Sequence, residues 1–290
     1  MSGEVAALGC AFFWALSSAL VRIVAEATPS LALNCARSAI GAVLNIIVLA
    51  GFTRSSSLYI PSWRSLACLL LNLSIGIVIG DSLYYSSMRL IGVARSLTIS
   101  ASYPLLTALL SWPLLGERIS PTGWAGFVLC IGGIVLVARS ASPRELPAAG
   151  RRGVRGALLA GAAAICWSVG TVALRAGSTG LNVFAVNALR LTGVALLAGL
   201  LAASRNELGS LRSLRARHFL VLVSSSLTGA LAGASLYVRA VQLAGAGKAA
   251  LLASTAPLFS VPLAILSGER VNAQLLAGMV AAIAGMALVL

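Results

Sequence analysis

The sequence predicts an all-α integral membrane protein of ten transmembrane helices, arranged as two inverted five-helix repeats. Three observations support this prediction: an apolar composition, a series of apolar stretches of spanning length, and a duplication of polar residues at one fixed spacing. Of the 290 residues, 59% are hydrophobic and 10% are charged, whereas soluble domains carry about 25% charged residues. Because the bilayer core offers backbone amides no water, long apolar stretches there must form helices.

The apolar stretches number ten, and each approaches the roughly 20 residues that a membrane-spanning helix requires. Turn-forming residues such as Pro29 separate them. The longest polar segment, residues 139–155, contains five arginines and predicts a basic linker loop between a first unit, residues 1–138, and a second unit, residues 156–290. The stretches lie at residues 5–24, 31–51, 65–86, 93–115, 121–138, 156–175, 182–203, 218–239, 246–267 and 272–290.

The two units carry the same polar and bulky residues at matching positions. Chance alignment of an apolar sequence pairs leucines and alanines, but it does not readily pair rarer residue types. Each unit holds five stretches, an odd number, so the second unit enters the membrane from the opposite side. Inverted repeats of this kind are common in secondary transporters. A shift of 153 residues pairs Trp14 with Trp167, Asn34 with Asn187, Arg37 with Arg190, Tyr84 with Tyr237 and Pro104 with Pro257.

The charged residues argue against several other functions. The net charge is +14, but the arginines lie in short loops and at the ends of apolar stretches, where they contact membrane lipids. A nucleic-acid partner is therefore not expected. With one His, one Asp and one Lys in the chain, no metal cluster, catalytic pair or phosphate-binding loop is present in the sequence, so neither a cofactor nor an enzyme activity is predicted.

Asp81 is the acidic residue that falls inside an apolar stretch. Helical spacing places it on one face with Tyr84 and Tyr85. A carboxylate near the bilayer centre costs about 2.5–3.5 kcal/mol on insertion scales, so it should face the bundle or water. Asp81 is thus a candidate for solute binding or proton coupling, or else an interfacial partner of Arg89 or Arg95.

Two arginines, Arg37 and Arg190, occupy equivalent positions six to eight residues inside their stretches. We expect their long side chains to extend toward the headgroups. The alternative is that they face the bundle, where they pair with Asp81 or attract an anionic group.

Aromatic residues and prolines complete the candidate site. Trp14 and Trp167 lie mid-span with Tyr84 and Tyr237 as further aromatic candidates, and these rings either line a cavity for flat solutes or pack the bundle. Pro104 and Pro257 are predicted to kink the middle of their helices, because each lacks an amide hydrogen. Such a kink marks a hinge of the transport path or serves packing alone. The small-residue pairs Gly76/Gly80 and Gly229/Gly233 predict close helix packing.

These motifs resemble those of the EamA family. The first unit carries Trp14, Gly92-x-Ala94, Pro104 and Gly116-Glu117-Arg118, and the second repeats them as Trp167, Gly245-x-Gly247, Pro257 and Gly268-Glu269-Arg270. The whole chain is similar to a ten-helix member of the drug/metabolite transporter superfamily. The resemblance implies export or exchange of small solutes such as amino acids, nucleobases or drugs, through a cavity lined mainly by helices 1, 3, 4, 6, 8 and 9. Alternatives are a nucleotide-sugar or lipid-linked-sugar carrier and, outside transport, a membrane scaffold or receptor.

The orientation in the membrane has two conflicting indications. Six basic residues flank the spans on the side of the termini and thirteen on the other side, which places both termini outside. The family resemblance implies cytoplasmic termini. The cell membrane is the expected location, and the sequence does not determine whether the protein forms a homodimer.

Overall fold

The structure is a computed structural model, and every range that it describes is helical or forms the turns between helices. The all-α prediction is therefore confirmed for these ranges, which contain no strand. The described residues are 1–25, 28–52, 62–91, 96, 99–140, 151–212, 214–256, 258–259 and 273–289.

The helices follow the order of the predicted apolar stretches. A four-residue helical turn, Gly209–Arg212, lies between α7 and α8. The bounds are α1 Gly3–Ala25, α2 Ser30–Phe52, α3 Trp63–Ile91, α4 Tyr103–Leu115, α5 Pro121–Ser140, α6 Arg151–Ser178, α7 Val183–Ser204, α8 Ala216–Ala244, α9 Ala246–Ala253 and α10 Ala273–Val289.

Within the described residues, six helices are long and apolar enough to cross a membrane: α1, α2, α3, α6, α7 and α8. The apolar helices α4, α5 and α10 are shorter. Large aliphatic side chains remain exposed on the outside of the bundle, as at Leu158 and Leu200, which are 69% and 70% exposed. Such an apolar surface is favourable in contact with lipid chains and unfavourable in contact with water. The number of spans stays a prediction.

The boundary between the units differs from the predicted loop over residues 139–155. α5 continues to Ser140, and α6 begins at Arg151. Residues 141–150 lie outside the described residues. Polarity alone set the predicted boundary, but arginine is a good helix former, so a helix readily continues into an arginine-rich flank.

The two units interlock through four helix pairs. α1 packs against α8 and α3 packs against α6, while α2 pairs with α7 and α5 with α10. Each pair takes one helix from each unit, and the repeat offset converts the α1–α8 pair into the α6–α3 pair. Glycines permit the close approach that the sequence predicted: a Cβ atom on Gly170 would lie 2.6 Å from the Cα of Gly76.

Both α3 and α8 contain a π-helical segment in their middle. The segments cover Asn72–Ile79 and Ser226–Gly233, which are equivalent positions within one residue under the repeat offset. Neither segment was predicted, because the composition of an apolar stretch does not distinguish a π-helical turn from an α-helical turn. π-helical turns inside α-helices occur frequently at functional sites.

The close contact of α3 with α6 can be tested by stability measurements. We expect Gly170→Ala to destabilise the protein by about 1–3 kcal/mol, because the added methyl group overlaps the Gly76 backbone. Gly161→Ala on the same helix is the matched control, since a Cβ atom there has no other atom within 4 Å and alanine favours helix. Thermal unfolding in detergent measures both. Equal melting temperatures for the two variants would contradict the packing described here.

Candidate functional site

Asp81 accepts a hydrogen bond from a tryptophan of the other unit. The indole Nε1 of Trp167, on α6, lies 2.9 Å from Asp81 Oδ1. Gly80 makes room for the ring, because a Cβ atom at that position would lie 2.8 Å from Trp167 Cδ1. The Trp167 indole therefore packs over Gly80 and donates a hydrogen bond to the adjacent Asp81.

The interfacial interpretation of Asp81 does not match this geometry. Arg89 donates a hydrogen bond to the hydroxyl of Ser30 instead, and Arg95 lies outside the described residues. No ion pair joins Asp81 to an arginine within the described ranges, which contain the pair Arg175–Glu117. Asp81 is thus a carboxylate held by a neutral donor inside the helix bundle.

A group of aromatic rings surrounds the Trp167 indole. Tyr84 lies 5.0 Å from it and Tyr103 lies 5.7 Å from it, measured between ring centroids. Tyr85 lies 6.0 Å from Tyr84. Tyr103 begins α4 and was not among the predicted site residues, since the sequence gives an aromatic residue at a helix start no distinguishing feature. Trp167, Tyr84, Tyr85 and Tyr103 together form the aromatic group beside Asp81.

The equivalent position in the other unit is built similarly but lacks the carboxylate. Trp14 packs over Gly233 and lies 5.0 Å from Tyr237. The hydroxyl of Tyr237 lies 2.9 Å from that of Thr171, one turn after Trp167. Ala234 takes the place of Asp81, so only one of the two tryptophans faces an acidic group in the described structure.

Arg190 faces the bundle interior, so the expectation that it extends toward the headgroups is wrong. It is 6% exposed. Its Nε donates to Asn72 Oδ1 at 2.5 Å and its Nη1 donates to Asn187 Oδ1 at 3.0 Å. Asn72 also donates to the carbonyl of Gly170 at 2.7 Å. Neutral amide oxygens therefore satisfy a buried charge that would otherwise be costly in the membrane.

Arg37 also points into the bundle and is half-buried. Its Nη1 donates to the hydroxyl of Tyr85 at 3.2 Å and its Nη2 donates to the hydroxyl of Ser17 at 3.0 Å. Ser17 in turn donates to the carbonyl of Ser225. The Nε of Arg37 is buried and has no hydrogen-bond partner in the described part of the chain. That N–H can donate to a group that enters the site.

Each arginine reaches the beginning of a π-helical segment of the other unit. Arg190 of the second unit bonds to Asn72, the first residue of the segment in α3. Arg37 of the first unit connects through Ser17 to Ser225, directly before the segment in α8. Both arginines also act electrostatically on Asp81. The site therefore combines one carboxylate, two guanidinium groups and an aromatic wall.

Pro104 lies beside an interruption within its predicted span, because residues 99–100 before the turn are also helical, and the predicted kink takes this form. Residues 101–102 form a turn, and α4 begins at Tyr103, so Pro104 lies in the first helical turn. A proline is favoured there because the first amides of a helix have no intrahelical acceptor. In the other unit α9 ends at Ala253 and residues 254–255 form a turn, at the same repeat offset. Pro257 lies outside the described residues. Helices interrupted at corresponding points of two repeats are typical of transporter binding sites.

The Gly-Glu-Arg motif of the first unit contacts the Gly-x-Gly motif of the second unit, a contact that sequence spacing did not indicate. The carboxylate of Glu117 accepts hydrogen bonds from the amides of Ala246, at 2.9 and 3.0 Å, and Gly247, at 3.3 Å. It thereby caps the beginning of α9 and lies 3.5 Å from Arg175 Nε. Gly245 adopts a φ of 88°, and a Cβ atom there would lie 2.8 Å from Glu117 Oε1. Glycine is required at this position for both reasons.

The model of the EamA-like transporter family matches residues 1–139 and 154–290, one match for each unit. A solved structure, described simply as a crystal structure of a protein, superposes with a TM-score of 0.77 and 21% sequence identity. The superposition covers 99% of this chain and 96% of that chain, and at this identity it supports the fold alone. A search of curated proteins found no match.

The cap on α9 predicts a measurable contribution to stability. We expect Glu117→Gln to lower the free energy of unfolding by about 0.5–2 kcal/mol, because the helix start loses a charged acceptor and Arg175 loses its partner. Arg118→Gln is the matched control, since this adjacent side chain is exposed. Thermal unfolding in lipid-free detergent compares the two. If Glu117→Gln melts at the same temperature as Arg118→Gln, the cap does not stabilise the fold.

Proposed function

Because the chain belongs to the EamA-like transporter family, we propose that it is a secondary transporter that exports or exchanges a small organic solute by alternating access. The proposal includes ten transmembrane helices in two inverted repeats, a location in the cell membrane, and a solute such as an amino acid, nucleobase or drug. The coarser conclusion, an integral multi-pass membrane protein of the drug/metabolite superfamily, follows from the family and the apolar helices.

The observation that carries this proposal is the hydrogen bond between Trp167 and Asp81. It joins α6 of the second unit to α3 of the first. Asp81 follows the π-helical segment of α3, and Trp167 contacts Tyr103, which follows the turn at residues 101–102. In alternating access, two repeats rock against each other around a solute near the middle of the membrane. A polar contact that bridges the repeats at such a place is suited to respond to the solute.

The lining of the site supports a flat, partly apolar solute with a polar group. The rings of Trp167, Tyr84 and Tyr103 offer aromatic faces on which such a solute can stack. Asp81 can accept a proton or a cationic group, and the unpartnered Nε of Arg37 can donate to an acceptor. The Asp81 carboxylate and the Arg37 guanidinium both belong to the first unit, and the Trp167 indole belongs to the second.

The proposal is tested with the purified protein in liposomes, screened with labelled amino acids, nucleobases, drugs and sugars. Saturable uptake or counterflow of one of these solutes supports it. Saturable transport of nucleotide sugars or lipid-linked sugars instead would establish the alternative carrier function. Absence of transport for every solute, with solute-independent binding of another membrane protein, would favour a scaffold or receptor.

Asp81→Asn tests the carboxylate. The amide oxygen of asparagine can still accept the Trp167 hydrogen bond, so we expect the melting temperature to change little. Concentrative or cation-dependent transport should be lost, because an amide neither binds a proton near neutral pH nor attracts a cation. Uptake and thermal stability are measured on the same preparation.

The matched control is Ser82→Ala. The adjacent hydroxyl donates to the carbonyl of Val78 on its own helix, so its removal should leave transport intact. Full activity of Asp81→Asn at every pH, with unchanged stability, would remove Asp81 from the site. A large loss of stability would identify it as a structural residue.

The two repeat-related tryptophans provide a second comparison. Trp167→Phe keeps an aromatic ring but removes the donor to Asp81, and a hydrogen bond to a charged group contributes about 1.5–3 kcal/mol. We therefore expect transport efficiency to fall by tenfold or more. Trp14→Phe, at the equivalent position without a facing carboxylate, should have a smaller effect. Equal losses in the two variants, measured as initial rates over a range of solute concentrations, would contradict a special role for the Trp167–Asp81 contact.

A further inference from the structure

A pocket of about 370 Å³ opens at one end of the bundle, and its lining contains no residue of the aromatic group beside Asp81. It lies where α5 begins, α9 begins and α10 ends. These are helix ends, so in a membrane the pocket lies near the headgroup level rather than at the bilayer centre. Six of its lining residues carry the argument: Arg118, Ile119, Ser120, Thr122, Lys248 and Leu288.

The polar side of the pocket is positively charged. Arg118 is exposed and makes no hydrogen bond or ion pair with another described residue. Lys248 has one described electrostatic partner, Glu4 at the beginning of α1. The first turn of α5, a helix of 20 residues, adds the positive end of its dipole. The neighbouring Glu117 does not neutralise Arg118, because its carboxylate is engaged by α9 and Arg175.

Two hydroxyl groups lie beside these charges. Ser120 and Thr122 are 2.9 Å apart through their oxygens, and Ser120 accepts a hydrogen bond from the amide of Gly123. Both side chains are exposed, so their remaining hydrogen-bonding capacity is available to an incoming oxygen. Two cations, two hydroxyls and a helix start together match the oxygens of a phosphate group.

The other side of the pocket is apolar. Ile119 and, on α10, Leu288 and Val289 line this side, and Phe127 is fully buried behind it. Leu288 is 47% exposed, so this wall continues onto the lipid-facing surface. A free phosphate ion gains nothing from such a wall, whereas the glycerol and upper acyl chains of a phospholipid bury apolar surface against it.

We propose that this pocket binds the phosphate headgroup of an anionic phospholipid, with the acyl chains along the exposed Leu288 side. Recognition uses Arg118 and Lys248 for the charge and Ser120 and Thr122 for the oxygens. The sequence carries the same two basic positions in both units, because Arg270 is the repeat equivalent of Arg118 and Arg95 is the repeat equivalent of Lys248. Those two arginines lie outside the described residues. The lipid site is distinct from the solute site and does not depend on which solute is transported.

The test uses the full chain in detergent with three probes: short-chain phosphatidylglycerol, phosphatidylcholine of the same chain length, and inorganic phosphate. Binding is followed by native mass spectrometry, and stabilisation by the melting temperature. We expect phosphatidylglycerol to bind and stabilise, and the double variant Arg118→Gln/Lys248→Gln to weaken that binding at least tenfold, since each basic residue contributes about tenfold or less near a membrane surface. Phosphatidylcholine should bind more weakly than phosphatidylglycerol.

The matched control is Arg64→Gln/Arg239→Gln, which removes two exposed arginines elsewhere and should leave the lipid affinity unchanged. The charge-conserving variant Arg118→Lys/Lys248→Arg should retain binding, so a failure of the glutamine variant to fold does not prevent the test. Unchanged phosphatidylglycerol affinity in the glutamine variant overturns the proposal. Equal affinity for phosphatidylcholine, or equal stabilisation by inorganic phosphate, would also overturn it, the latter in favour of a free-anion site.

Discussion

A tryptophan packed over a glycine of the opposite unit is the contact on which the arrangement of this protein depends. Trp167 lies over Gly80 and Trp14 lies over Gly233, and in both places a Cβ atom would come within 2.8 Å of the indole. These two contacts position α3 against α6 and α8 against α1. Together with the Gly76–Gly170 contact they allow the units to approach closely, and they bring the indole of Trp167 to the carboxylate of the residue that follows Gly80.

Two equivalent contacts produce two chemically different surroundings. Where Asp81 follows Gly80, the indole has a charged acceptor and two tyrosines nearby, Tyr84 and Tyr103. Where Ala234 follows Gly233, the indole packs against Tyr237. The duplication thus supplies two similar units, and differences at several positions, such as Asp81 against Ala234 and Tyr85 against Val238, make the chemistry of the centre asymmetric. In this chain of the EamA-like family, two similar units therefore surround a single carboxylate within the described residues.

Two inward-facing arginines connect this centre to the irregular parts of the helices. Arg190 reaches Asn72 and Arg37 reaches Ser225 through Ser17, so each guanidinium joins one unit to the π-helical segment of the other. Leaving a guanidinium unsatisfied inside a membrane is costly, and moving the units apart would break these hydrogen bonds. The polar network therefore holds the two units together around the site. The Glu117 cap performs a comparable connection at the beginning of α9.

The sequence by itself determined the helical class, the duplication and the set of unusual polar and aromatic residues, because hydrophobicity and repeat spacing are properties of the chain. It also indicated that Gly76 serves close packing. It did not determine where Arg37 and Arg190 point, since one helical position allows a long side chain to reach either the headgroups or the bundle. It predicted an irregularity at Pro104, but only the structure shows that this irregularity is a turn at residues 101–102. The Glu117–Ala246 and Trp167–Asp81 contacts join residues 129 and 86 positions apart, and only tertiary packing brings such distant groups together.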